Sequence, residues 1–246
     1  PQWDGLFDWE PVWGADACIS LGLAAIRTSK IRLGTMLTPP SRRRPWELAS
    51  QVATVDRVST GRVTLSVGLG ATNSGFETFG EECDRKVRSE LMDECLDIMC
   101  GLWAGQPFGY SGTHYIVQST EFLTLGNTVQ QPRVPIWCVG ALGRNKSMRR
   151  ALRWDGIIPQ VMDPDAEGGV RQPHLDEVAA LRAEIAAHPD TSDSFDVVVE
   201  GQWTDHSPSA YRDAGATWWI ESMWHLQDKP DGHELLRQRI RQGPPA

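Results

Sequence analysis

The chain has 246 residues, with 24 lysines and arginines against 32 aspartates and glutamates, and a formal net charge of −8. That length suits one large α/β domain, and the acidic balance argues against nucleic acid and anionic membranes as partners, since both select basic patches. No apolar run approaches the roughly 20 residues of a membrane span, no signal peptide is legible, and five cysteines without C-x-x-C or C-x-x-H spacing indicate reduced thiols of a cytoplasmic protein.

Short apolar runs alternate with amphipathic stretches. A strand is expected over 4–9, then a helix over 15–28 with Ile19, Leu23 and Ile26 on one face. A strand follows at 31–38, stopped by Pro39-Pro40, and a helix at 45–57 whose first turn takes Pro45 and whose buried face takes Leu48, Val52 and Val55. Thr60-Gly61 turns the chain into a strand at 63–67. After a loop over 68–84 comes a helix at 85–103, with Val87, Leu91, Cys95, Ile98 and Leu102 at spacings of three and four. Ser111-Gly112 marks a β-hairpin insertion over 108–122. Strands at 136–139, 156–161, 195–200 and 216–222 then alternate with helices at 146–153, 174–187, 208–214 and 232–241. The polar stretch 163–173, with its glycines and prolines, is expected to be a mobile loop. Strand-then-helix alternation means βαβ units and a mostly parallel sheet, and seven such strands are counted where a closed barrel has eight. No linker divides residues 1–246, which are expected to form a single domain.

The chain contains no G-x-x-x-x-G-K-[ST], H-E-x-x-H or G-x-S-x-G, and its six histidines never pair at helical or strand spacing, so no metal site is expected. The most informative run is Val139-Gly140-Ala141-Leu142-Gly143-Arg144-Asn145-Lys146-Ser147, which leaves a strand and opens a helix. Glycines let the backbone approach a ligand, and helix-start N–H groups with Arg and Lys attract phosphate; the alternative is a glycine turn with solvated cations. Gly68 and Gly70 form a G-x-G at another strand end, readable equally as a tight turn. In α/β barrels the C-terminal strand ends form the site. Those ends include Glu10, Thr35, Met36, Thr38, Gln160, Glu200 and Glu221, among Trp9, Trp13, Trp203 and Trp224. Small residues, polar tips and tryptophans suit a flat aromatic cofactor with a phosphate tail, though any one carboxylate could be a structural ion-pair partner.

Several stretches together resemble a known family. IRLGTML with RRRP at 42–45, ATVDRVSTGRVTLSVGLG at 53–70, FETFG at 76–80, the helix at 85–103, PRVPIWCVG at 132–140, RRALRWDG at 149–156 and AGATWW at 214–219 are similar, in order, to the bacterial-luciferase-like flavin- or F420-dependent oxidoreductases. The resemblance implies a (β/α)₈ TIM barrel and a match that begins at the family's second strand, so the first βα unit would lie outside this sequence. It implies FMN or the deazaflavin coenzyme F420 at the C-terminal strand ends, with FMN taken first. Thr35, Met36 and Thr38, and Gly68, Gly70 and Ala71, would lie along the ring; Val139, Gly140, Ala141, Gly143 and Arg144 would hold the phosphate, with Gln160 nearby. It also implies oxygenation by reduced FMN and O₂, or hydride transfer with F420, on a small organic substrate. Many relatives end the second strand in an Asp-His pair. Here the place reads Trp9-Glu10-Pro11, so the histidine's role does not transfer, and Glu10 and Trp13 are the nearest catalytic substitutes. The rivals are a non-catalytic flavin-binding protein of the same family, a hydrolase or metal enzyme using Glu10, Glu200 and Glu221, and an interaction protein presenting its tryptophans. A homodimer is expected, because a sheet lacking a strand leaves edges to cover.

Overall fold

β-branched runs and amphipathic stretches become parallel strands and helices in the computed structural model, which describes residues 4–8, 16–121, 128–189, 191–202, 208–223, 226 and 229–244. Two compact units are formed, one by Gly5–Ile136 and the other by Asp4 with the residues from Trp137 onward.

In the first unit, β1 (Gly5–Asp8), β2 (Arg32–Thr35) and β3 (Val63–Val67) run parallel, with Gly5 opposite Arg32 and Leu33 opposite Val63. Each is followed by a helix: α1 (Ala17–Arg27), α2 (Pro45–Ser59) and α3 (Arg85–Ala104). All of β3 is buried, as befits a parallel strand covered on both faces. α2 starts on Pro45, whose missing N–H costs nothing there, and ends on Thr60 at φ 58. Its Leu48, Val52 and Val55 are all buried, each worth roughly 1.5–3 kcal/mol relative to exposure. Arg62 closes the ends of α1 and α2, donating to the carbonyls of Ala25, Thr28, Ile31 and Ser59. The hairpin of β4 (Phe108–Ser111) and β5 (Ile116–Thr120) is antiparallel. Its turn is clamped by the buried Glu94 carboxylate of α3, which accepts from the backbone N–H groups of Thr113, His114 and Tyr115 at 2.7, 3.0 and 2.9 Å.

In the second unit, β6 (Ile136–Ala141), β7 (Gly156–Met162), β9 (Asp196–Gly201) and β10 (Trp218–Glu221) run parallel, and a two-residue β8 (Val170–Arg171) turns back antiparallel on β7. Between and after them lie α4 (Asn145–Ala151), α5 (Leu175–Ala187), α6 (Pro208–Asp213) and α7 (Gly232–Gln242). Val178, Leu181 and Ile185 bury one face of α5. Trp137 donates its indole N–H to Asp196 at 3.0 Å, and Thr217 donates its hydroxyl to the same carboxylate at 2.8 Å.

Three expectations are corrected. The apolar face predicted for the first helix is its solvent face: Ile19, Leu23 and Ile26 are 67%, 59% and 67% exposed, while Ala17, Cys18, Leu21 and Ala25 are buried. α1 is apolar on nearly every side, so spacing could not choose a face, and the small alanines allow closer packing. In α3 Cys95 and Ile98 of the expected stripe are buried, but the rest of the buried face runs through Arg88, Met92, Leu96, Met99 and Trp103, leaving Val87, Leu91 and Leu102 half-buried. The stretch 163–173 is not a free loop. It contains β8, and Arg171 binds Asp163 and, bidentately at 2.7 and 2.9 Å, Glu177 of α5.

Candidate functional site

In the first unit the candidates lie just beyond the C-terminal ends of β2 and β3. Thr35 is buried and its hydroxyl is committed to the neighbouring strand, donating to the Ser66 carbonyl at 3.0 Å and accepting from the Ser66 N–H at 3.1 Å. Met36 is buried, its N–H bonded to the Asp8 carbonyl at 2.7 Å, and the Met36-Leu37 peptide is cis. Thr38 bridges Val67 and is fully buried, and its Oγ1 has no hydrogen-bond partner among the described residues. A buried hydroxyl without a partner costs about 1–3 kcal/mol, so its persistence points to a group that completes it. Gly68 is buried, Gly70 half-buried and Ala71 exposed. Gly70 sits at φ 73, and a Cβ there would meet the Phe76 ring and Pro39 at 3.1 Å, so only glycine fits the turn.

One residue that organises this loop was missed by sequence reasoning. Arg88, 6% exposed on α3, donates to the carbonyls of Leu69 at 2.7 Å and Gly70 at 3.0 Å. Its guanidinium lies 5.1 Å from the centre of the fully buried Phe76 ring, and that of Arg42 lies 4.4 Å from the same ring. Burial lowers the Arg88 pKa from its ordinary value, yet an arginine keeps its charge in proteins. The signal available was an arginine in register with Met92 and Cys95, which a search for apolar residues alone passes over.

In the second unit, β6 brings Val139, Gly140 and Ala141 to its C-terminal end, with Ala141 opposite Gln160 of β7. Gly140 is glycine for a packing reason: a Cβ there would run into the Ile157 side chain and the Ala151 methyl of α4. Ala141 donates its N–H to the Ser147 hydroxyl at 2.9 Å, and Leu142 to the Gln160 carbonyl at 2.8 Å. Gly143 takes φ 72 in open space, and Arg144 and Lys146 are exposed at the start of α4. Glu221 has a structural engagement. Its carboxylate is paired bidentately with Arg239 of α7 at 2.6 Å for both contacts, with side-chain exposures of 4% and 11%. Glu10 and Trp13, with Trp9, Pro11, Trp203 and Trp224, lie outside the described residues. Among the described residues no group of three or more His, Cys, Asp or Glu is arranged to hold a metal, and no helix is long and apolar enough to cross a membrane. Burial pushes the Cys95 thiol up to about 12.

The profile of the family described as luciferase-like monooxygenase matches residues 3–243, and the chain belongs to that family. An F420-dependent glucose-6-phosphate dehydrogenase of Nocardia farcinica is 36% identical over 194 residues, covering 76% of this chain and 54% of that protein. The fold is the luciferase-like α/β barrel. A Streptomyces bottropensis monooxygenase matches with a TM-score of 0.64 at 18% identity, over 97% of this chain and 69% of that one. The oxygenating constituent of the 3,6-diketocamphane monooxygenase of Pseudomonas putida, a type II Baeyer–Villiger enzyme in complex with FMN, matches with a TM-score of 0.63 at 19% identity, over 81% and 57%. The chain spans about half the length of the curated relatives it matches, 54% of each of the first three.

Proposed function

We propose that this chain belongs to a flavin- or F420-dependent oxidoreductase acting on a small organic substrate, with FMN taken before F420. The observation that carries the reading is family membership along residues 3–243, among relatives and structural neighbours whose names include both cofactors. The residues present fit such a group. The unpartnered Thr38 hydroxyl and the glycine turn beyond β3 supply polar atoms and close backbone approach in the first unit. In the second, the turn at Gly140, Ala141, Gly143 and Arg144 supplies glycine backbone in open space at Gly143 and the exposed Arg144 cation. Bound cofactor would supply the redox chemistry, oxygenation with reduced FMN and O₂ or hydride transfer with F420.

Within this reading Thr35 braces β2 against β3, Thr38 and the residues Met36, Gly68, Gly70 and Ala71 meet the ring, and Val139 to Arg144 with Gln160 serve the phosphate end. Pro11 falls where many relatives carry a histidine, and Glu10 and Trp13 are the nearest candidates in sequence for its catalytic role. Glu10→Gln and Trp13→Ala test them: unchanged turnover and cofactor affinity would remove both from the site. The same reading includes a homodimer, which gel filtration at micromolar concentration checks; a clean monomer contradicts it. The reading as a whole is tested by titrating the protein with FMN and with F420 while following tryptophan and cofactor fluorescence.

A further inference from the structure

β3 is held at its two ends by two arginines that serve different purposes. Arg62, just before the strand, donates to carbonyls at the ends of α1 and α2 and so fixes helices. Arg88 acts beyond the strand's other end, where its one guanidinium binds two successive carbonyls, those of Leu69 and Gly70. The peptide groups that follow those carbonyls are trans, and in a planar trans peptide the N–H points opposite to the C=O. With both carbonyls turned toward Arg88, the N–H groups of Gly70 and Ala71 are turned away from it. Neither donates to a backbone carbonyl among the described residues. Glycine permits the conformation: Gly70 takes a φ of 73, and a Cβ there would meet the Phe76 ring and Pro39 at 3.1 Å. A buried charged donor and a glycine backbone thus leave two consecutive N–H groups ready for an acceptor.

We infer that Arg88 is a positioning residue, fixing the Gly70 and Ala71 amides as paired donors to an acceptor oxygen of the bound cofactor. The inference rests on the proposed reading that this loop contacts FMN or F420. Donors fixed before binding lose less on association than donors that must be ordered by it. Arg88 contributes from a single guanidinium nitrogen, Nη1, which donates to both carbonyls. A lysine keeps the charge but replaces that planar group with a compact ammonium on a flexible stem.

The test measures cofactor affinity and melting temperature together for the wild type, Arg88→Lys, Arg88→Met and Arg62→Met, with FMN and F420 as the titrants. The Arg88 variants are expected to weaken binding by about tenfold or more at temperatures where they are fully folded, as loss of a charged hydrogen bond implies. Arg62→Met is expected to lower the melting temperature and leave affinity unchanged. Should Arg88→Met not fold, Arg88→Lys carries the comparison. In the wild type the Gly70 and Ala71 amides should become protected from hydrogen exchange when cofactor binds. Arg88 variants that bind as tightly as the wild type, or amides whose exchange is unchanged on binding, overturn the inference alone. A wild type that binds neither cofactor overturns the underlying reading, and the inference with it.

Discussion

A buried charge and a crowded glycine are the residues on which this chain spends stability, and each has a measurable cost. The Glu221–Arg239 pair is nearly dry, and removing one partner strands the other. Glu221→Ala should therefore lower unfolding free energy by about 3–5 kcal/mol in urea titration; a loss near zero would mean that the pair is open to water. Gly140→Ala should cost about 1–3 kcal/mol through overpacking against Ile157, read from the same titration. That position was legible as a glycine turn after a strand, but its packing reason was not, because Ile157 comes from a neighbouring strand. Arg88 was invisible for a related cause. Its partners are backbone carbonyls, which carry no sequence signal, and its place in an apolar stripe looks like a break in the pattern.

Elements were more legible than the faces they bury. β3 and α2 follow directly from a β-branched run, a proline at the first turn and a regular apolar stripe. α1 did not yield its face, since apolar residues surround it and tertiary packing alone chose Ala17, Leu21 and Ala25. The hairpin of β4 and β5 was marked by Ser111-Gly112, yet what pins it is Glu94, on a helix and 19 to 21 residues before the N–H groups it binds. Glu94→Ala leaves three backbone N–H groups without their acceptor and should speed hydrogen exchange at Thr113, His114 and Tyr115; unchanged exchange would contradict the clamp. The segment 163–173 is ordered by charge. The hydrogen bond from Arg171 holds the Glu177 carboxyl at about 2, below its ordinary 4.5. A carboxylate lowered on folding stabilises above its ordinary value and loses that contribution as pH falls toward its folded value. Wild type should therefore lose more stability than Glu177→Gln between pH 4.5 and 2, measured as urea midpoints; parallel curves would contradict the pairing.

At the scale of the molecule, alternation of strands and helices was sufficient for the fold class. Among the described residues seven parallel strands, three in one unit and four in the other, stand where the apolar runs lie. Ordered resemblance along the chain pointed to the luciferase-like family, to which the chain belongs. The chemistry was less legible, because a flavin-type site is built largely from backbone turns and closely packed small residues, and relatives of this family include both FMN and F420 proteins. The most direct measurement is fluorescence titration of the purified protein with FMN and, separately, with F420. The account predicts micromolar or tighter binding of at least one, weakened by Thr38→Val through loss of its buried hydroxyl and, separately, by Arg88→Lys; binding of neither would contradict it.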